Sequence, residues 1–220
     1  MNGPIFKFID DQKLIAMVRV SQAEDTEPVI QSLRKGGIRA IEIAETVPNA
    51  YRIIESLAKD AELVVGIGNV LNGEDAQRAI DAGTKFISSP FTSDDIVSVA
   101  KNSDILIMQG ASTPTEAVFA QQELGAEYVR IFPVDLVGGP ELIRRLRSAF
   151  PFLKMIPQGA INLENVLDYL KAGAEAVALG SALIEKSWIR SHDWDAIAGR
   201  TKQFVEKVES LKRQSVVGSR

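Results

Sequence analysis

The sequence contains no cysteine. Disulfide cross-links, thiolate nucleophiles and cysteine–zinc sites are therefore excluded together. Histidine occurs once, at His192, inside the polar stretch Arg190-Ser191-His192-Asp193-Trp194. That setting suits an exposed loop or capping residue better than a general base. Long hydrophobic runs are missing as well. No stretch approaches the roughly 18 consecutive apolar residues that a membrane-spanning helix needs, and Met1–Asp11 has neither the basic start nor the apolar run of a signal peptide. A strong charge of either sign is also lacking: 29 acidic and 25 basic side chains leave a net charge of −4. That balance argues against broad binding to nucleic acid or anionic membrane. The expectation is a cytoplasmic protein.

What is present is globular: 45% hydrophobic and 25% charged residues over 220 positions, enough for one full core. Short β-rich runs alternate with segments of helical period. The runs are Leu14–Val20, Ala40–Glu45, Leu63–Asn69, Lys85–Pro90, Ile105–Ala111, Tyr128–Val134, Lys154–Ala160 and Ala176–Leu183. Between them, Glu27–Lys35, Glu74–Ala82 and Thr115–Leu124 carry helical periodicity, with Ala76, Ala79 and Ile80 on one face of the second. Strands alternating with helices imply parallel pairing through βαβ units. A weak repeat supports closure of the sheet. Helix-ending glycines at Gly37, Gly83, Gly125 and Gly173 are separated by 46, 42 and 48 residues, two βα units each, and precede strands 2, 4, 6 and 8. A dinucleotide-binding sheet would show Gly-x-Gly-x-x-Gly after its first strand, where Arg19-Val20-Ser21-Gln22 stands instead. Residues 1–220 are thus expected to form a single (β/α)8 TIM barrel with a short N-terminal helix closing its bottom. The last helix is placed at about Trp194–Arg213, its mixed charges forming a solvated face, and Gln214–Arg220 is expected to fray.

In such a barrel the working residues lie at the C-terminal ends of the strands and in the loops that follow. The candidates are Arg19 after strand 1; Glu42, Glu45 and Thr46 on and after strand 2; and Asn69, Pro90 and Gln109 ending strands 3, 4 and 5. Strand 6 contributes Arg130, Phe132 and Asp135, strand 7 Gln158, Gly159 and Ala160, and strand 8 Gly180 and Ser181. Glu42 and Arg130 stand out as charges within apolar strands, and a lone buried charge is costly. Parity in Ala40-Ile41-Glu42-Ile43-Ala44 points Glu42 into the barrel, with Arg19 and Arg130 expected to join it. A structural ion pair is one reading. Buried pairs add little net stability over apolar packing, so charges converging on the open end favour a site. The glycine-rich ends of strands 7 and 8 could hold a phosphate or carboxylate on backbone N–H groups, or be tight turns alone.

Several motifs in order carry a resemblance. They are Ile41-Glu42-Ile43 with Thr46-Val47-Pro48, Gly66-Ile67-Gly68-Asn69-Val70, Ser89-Pro90, Gly110-Ala111-Ser112-Thr113-Pro114-Thr115-Glu116, Arg130-Ile131-Phe132-Pro133, Pro157-Gln158-Gly159-Ala160-Ile161 and Gly180-Ser181-Ala182-Leu183. From about Leu14 to Leu183 the chain resembles the 2-keto-3-deoxy-6-phosphogluconate (KDPG) and 4-hydroxy-2-oxoglutarate (KHG) aldolases, class I enzymes. The resemblance implies a (β/α)8 barrel, usually trimeric, acting on pyruvate-derived 2-oxo acids without a redox cofactor. It implies that Glu42 is the proton-shuttling glutamate, and that Arg130 occupies the place of the lysine that forms a Schiff base. Asn69 stands for the family's threonine, Gln109 for its proline, and Gln158-Gly159-Ala160 for its Thr-Gly-Gly phosphate loop.

A Schiff base needs a neutral amine. A guanidinium stays protonated and is a poor nucleophile. Lys13, Lys85 and Lys154 sit at the wrong ends of their strands, and Lys186 beyond strand 8 is the remaining, distant candidate. Three functions follow as expectations. The first is a non-covalent carbon–carbon lyase that decarboxylates oxaloacetate, with Arg130 and Arg19 facing the developing enolate, Glu42 delivering a proton, and Mg2+ or Mn2+ assisting through Glu42, Glu45 or Asp135. The second is KDPG/KHG aldolase chemistry proper, through Lys186 or without a covalent intermediate. The third is a non-catalytic binder of 2-oxo acids or phosphorylated metabolites. The extra methyl of Ala160 in the anion loop favours a small unphosphorylated substrate.

Overall fold

In the computed structural model, which describes residues 3–217, eight parallel strands form a nearly closed barrel with helices outside. The elements run α1 (Pro4–Gln12), β1 (Leu14–Val18), α2 (Thr26–Lys35), β2 (Ala40–Ala44), α3 (Ala50–Leu57), β3 (Val64–Gly68), α4 (Gly73–Asp81), β4 (Phe86–Ser88) and α5 (Asp94–Asn102). They continue β5 (Leu106–Ala111), α6 (Pro114–Val118), β6 (Tyr128–Ile131), α7 (Gly139–Ala149), β7 (Met155–Pro157), α8 (Val166–Lys171), β8 (Val177–Leu179), α9 (Lys186–Arg190) and α10 (Trp194–Val217). Hydrogen-bonded neighbours follow the order β7-β6-β5-β4-β3-β2-β1-β8, and a bridge between Gln158 and Ala178 joins the two outer strands. All eight expected strands are present but shorter at one or both ends. The four helix-ending glycines have φ of 73° to 107°, a left-handed stop that lets each chain turn back into the sheet.

Two apolar layers hold the barrel. Residues such as Ile41, Ile43, Ile67 and Ile107 face the helices, while Ile15, Ala40, Val64, Phe86, Leu106, Met108, Tyr128 and Ile156 fill the interior. The short N-terminal helix closes the bottom as expected. Phe6 of α1 stacks on Tyr128, ring centroids 4.8 Å apart, and Ile9 is fully buried. Each such side chain contributes about 1.5–3 kcal/mol on burial. The last helix departs from expectation: α10 continues through Val217, so the chain from Gln214 to Val217 is helical rather than frayed. Positions 218–220 of the expected tail lie outside the described residues. Among the described residues, no helix is long and apolar enough to cross a membrane.

Candidate active site at the open end of the barrel

β2 and β6 stand on opposite sides of the barrel and each sends one charge inward. Arg130 Nη2 donates to Glu42 Oε2 at 2.5 Å, and Nη1 donates to Gln158 Oε1 at 3.0 Å. The two charged side chains are 1% and 2% exposed. The sulfurs of Met108 and Met17 lie 3.3 and 3.8 Å from the two terminal nitrogens, and Nε has no partner. Gly68 makes room for the carboxylate: a Cβ there would fall 2.1 Å from Glu42 Oε1. Each charge answers the other's desolvation, and neither could stay buried alone.

Above this pair lie two connected hollows. The larger, of about 320 Å³, is walled by Arg19, Gln158, Gly159, Ala160, Gly180, Ser181 and Lys186, among others. A smaller one, of about 220 Å³, is walled by Arg19, Asn69, Ser88, Pro90, Phe132 and Gln158. Arg19, Phe132 and Gln158 border both. No carboxylate lines either hollow, and the side chains of Arg19 and Lys186 have no hydrogen-bond or ion-pair partner among the described residues. Glu185, next to Lys186, turns instead to Arg200 at 3.8 Å. Two unpaired cations over a carboxylate-free wall give the hollow a charge that suits an anion. Asn69 and Ala160 hold positive φ values of 62° and 42°; such backbone strain is found at working sites, and glycine would carry Ala160's conformation more easily. The loop after β5 is braced by Glu116, whose carboxylate accepts from the Ser112 and Thr113 amides at 2.9 Å each. Those bonds, the Ser112 amide foremost, hold the Glu116 pKa below its ordinary value. Ser112 Oγ then donates to the Phe132 carbonyl at 2.8 Å and ties that loop to the cavity wall.

Several expected site residues are placed differently. Glu42 and Arg130 line neither hollow; they sit behind Gln158 and Met17. Arg19 does not enter the barrel, because β1 ends at Val18 and the exposed Arg19 stands at the mouth, Met17 taking the inward place. Gln109 faces the helix layer: it is fully buried, its Oε1 accepts from the Ser93 amide at 2.6 Å, and its Nε2 is unpartnered. In β5 the inward positions fall to Met108 and Gly110, so strand parity turns Gln109 away. Thr46 is exposed and borders neither hollow. Glu45 belongs to a separate surface hollow with Tyr51 and Arg78, Asp135 is exposed beyond β6, and no metal-holding cluster of acidic residues or histidine forms among the described residues. Glu42, Glu45 and Asp135 thus do not converge as a ligand set. His192 is exposed and stacks on Trp194, centroids 5.4 Å apart, as befits a loop residue. Lys186, the candidate expected to lie at a distance, is brought onto the cavity wall by the turn from β8 into α9.

A family model described as KDPG and KHG aldolase matches residues 5–199. A 2-dehydro-3-deoxy-phosphogluconate aldolase of Haemophilus influenzae is 26% identical, covering 93% of this chain and 97% of that one. A probable 2-dehydro-3-deoxy-6-phosphogalactonate aldolase of Rhizobium meliloti is 32% identical over 79% of this chain and 82% of its own. The crystal structure of KDPG aldolase from Legionella pneumophila, with pyruvate captured as a covalent carbinolamine, superposes with a TM-score of 0.82 at 24% identity, covering 91% of this chain and 97% of that one, a likeness of fold. The chain belongs to the KDPG and KHG aldolase family and, with it, to the carbon–carbon lyases.

Proposed function

We propose that this chain acts on small 2-oxo acids without forming an imine, and that its reaction is the decarboxylation of oxaloacetate to pyruvate. The observation that carries this reading is the state of Arg130. It is a fully buried guanidinium, bonded to Glu42 and Gln158 where the family resemblance places the amine nucleophile. A permanently protonated guanidinium offers no lone pair to a carbonyl carbon. The cavity above it supports chemistry that needs only charge stabilisation. Breaking C3–C4 of oxaloacetate releases CO2 and leaves its electron pair on pyruvate enolate. Arg19, unpaired at the junction of the two hollows, faces that charge. Protonation at C3 completes pyruvate. Because Glu42 is sealed behind Gln158, solvent at the mouth supplies the proton in this scheme, and Glu42 serves as the counter-charge of Arg130. The methyl of Ala160 supports a small substrate over a sugar-acid phosphate. The family resemblance suggests a homotrimer, and the composition a cytoplasmic setting.

The test is pyruvate release from oxaloacetate by the purified protein, with and without Mg2+. The expected result is a rate well above the spontaneous one in both arms; a rate equal to the spontaneous one sinks the reading. A second reading rests on Lys186, an amine on the same cavity wall. It makes the chain a KDPG/KHG-type aldolase with a relocated Schiff-base lysine. Borohydride reduction in the presence of pyruvate separates the two: a pyruvyl adduct on Lys186 establishes the second, and an unmodified chain supports the first.

A further inference from the structure

We propose that Gln158 is the donor that stabilises the enolate oxygen, and that Arg130 is the residue that turns its amide the right way. The inference rests on the enolate reading above and assigns roles within it. A glutamine amide has one acceptor end and one donor end, and nothing in its own chemistry decides which faces a ligand. Here the choice is forced. A guanidinium can only donate, and Arg130 Nη1 lies 3.0 Å from Gln158, so the atom it meets is Oε1. Nε2 is the atom left over. It has no hydrogen-bond partner, and it is not among the buried side-chain atoms lacking one. Gln158 borders both hollows, beside Arg19. The free donor therefore opens onto the space where a 2-oxo acid would lie.

Gln109 is the control within the same barrel. Its Oε1 is also taken, by the Ser93 amide at 2.6 Å, and its Nε2 is also unpartnered, but that nitrogen is buried against the helix layer where no ligand can reach it. The two glutamines differ in what their spare donor faces. Glu42 completes the device: its carboxylate holds Nη2 of Arg130 at 2.5 Å, so the guanidinium cannot swing away and release the amide. The family chemistry places a nucleophile on β6. In this chain β6 instead carries a fixed cation that orients a neighbour. Arg130 is thus a positioning residue, and Gln158 the catalytic one.

The experiment uses three variants of the full-length protein and two readouts. Oxalate, a stable planar dianion that mimics pyruvate enolate, is titrated by calorimetry, and oxaloacetate turnover gives kcat and KM. Gln158→Leu removes the donor and the Arg130 contact. Gln158→Glu keeps an acceptor for Arg130 but has no N–H to offer. Both are expected to weaken oxalate binding and to lower kcat by roughly 10- to 100-fold, with KM changed far less, as for loss of an oxyanion donor. Gln158→Asn tests reach: its shorter side chain cannot serve both partners, and it should fall between the wild type and the other two. Thermal unfolding of each variant, within a few degrees of the wild type, shows that the fold is intact. Wild-type oxalate affinity and kcat in either Leu or Glu variant overturns the assignment, since a loss confined to Glu would be charge repulsion alone. Its failure is separable from failure of the reading it rests on. A wild type that does not turn over oxaloacetate, but binds oxalate through Gln158, sinks the decarboxylase and keeps the donor. No oxalate binding by the wild type sinks both.

Discussion

Two residues apart on β6, Tyr128 and Arg130 point into the same barrel and meet opposite fates. Tyr128 lies in the bottom layer. It stacks on Phe6, its hydroxyl donates to Asp10 Oδ1 at 2.8 Å, and it has no polar atom left over. Arg130 lies one layer up. It is as deeply buried, yet Nε is unpaired, and its remaining nitrogens are shared between a carboxylate and an amide at the edge of a cavity. The bottom is a finished core, sealed by α1 and satisfied in its hydrogen bonds. The top holds charges that stability alone does not require, under a mouth with two unpaired cations. The difference separates the end that only keeps the barrel folded from the end that holds the proposed site.

The comparison can be broken most forcefully at Arg130. Arg130→Met leaves Glu42 buried without its counter-charge and should cost about 3–5 kcal/mol in urea unfolding. Adding Glu42→Gln should recover a large part of that loss. If the single change costs under about 1 kcal/mol, the pair is not the mutual necessity described above. A smaller effect, of a different kind, is expected at the mouth. Arg19→Met should lower oxaloacetate turnover by roughly a hundredfold, about 2.7 kcal/mol of transition-state stabilisation. Unfolding should be almost unchanged, because the side chain is exposed and unpaired. Equal effects on rate and stability would erase the division between the two ends.

The smallest effect belongs to the bottom. Tyr128→Phe keeps the stack on Phe6 and should cost about 1 kcal/mol through the lost hydrogen bond. It should also change the response to alkali. Burial first, and the Asp10 hydrogen bond second, raise the Tyr128 pKa above its ordinary value of 10.0. A phenol that keeps its proton longer in the folded state gives stability that is complete below about pH 10 and lost as pH rises beyond it. The Phe variant should therefore lose less stability above pH 10 than the wild type does. Some loss should persist, because burial raises Tyr51 and Tyr169 in the same direction. Alkaline unfolding midpoints for the two proteins check this, and identical profiles would remove Tyr128 from the account.

Much of this architecture was legible in the chain. Eight apolar runs separated by helical patterns, with glycine stops at Gly37, Gly83, Gly125 and Gly173, correspond to a barrel because local periodicity and turn chemistry act over a few residues at a time. Glu42 and Arg130 were legible for a similar reason: a lone charge inside an apolar strand needs a partner wherever the strand is buried. Gln109 was readable in principle. Alternation along Met108-Gln109-Gly110 turns it toward the helices, although it stands near the end of its strand. Lys186 and Arg19 carried no such signal. Each follows a strand end, where the direction of the chain depends on loops packed by distant residues.

The amino-acid order by itself determined the strand count, the apolar layers and the presence of two buried opposite charges, since these follow from periodicity and desolvation, which are local. Tertiary structure alone decided that Arg130 meets Glu42 and Gln158 together, that Gln158 is left with its donor toward the cavity, and that Lys186 joins Arg19 at the mouth. Those outcomes depend on closing the barrel, which brings Glu42, Arg130 and Gln158 into hydrogen-bond contact and sets the start of α9 on the cavity wall that Gln158 shares, although more than a hundred residues separate Glu42 from Lys186. No spacing along one strand encodes a meeting of that kind.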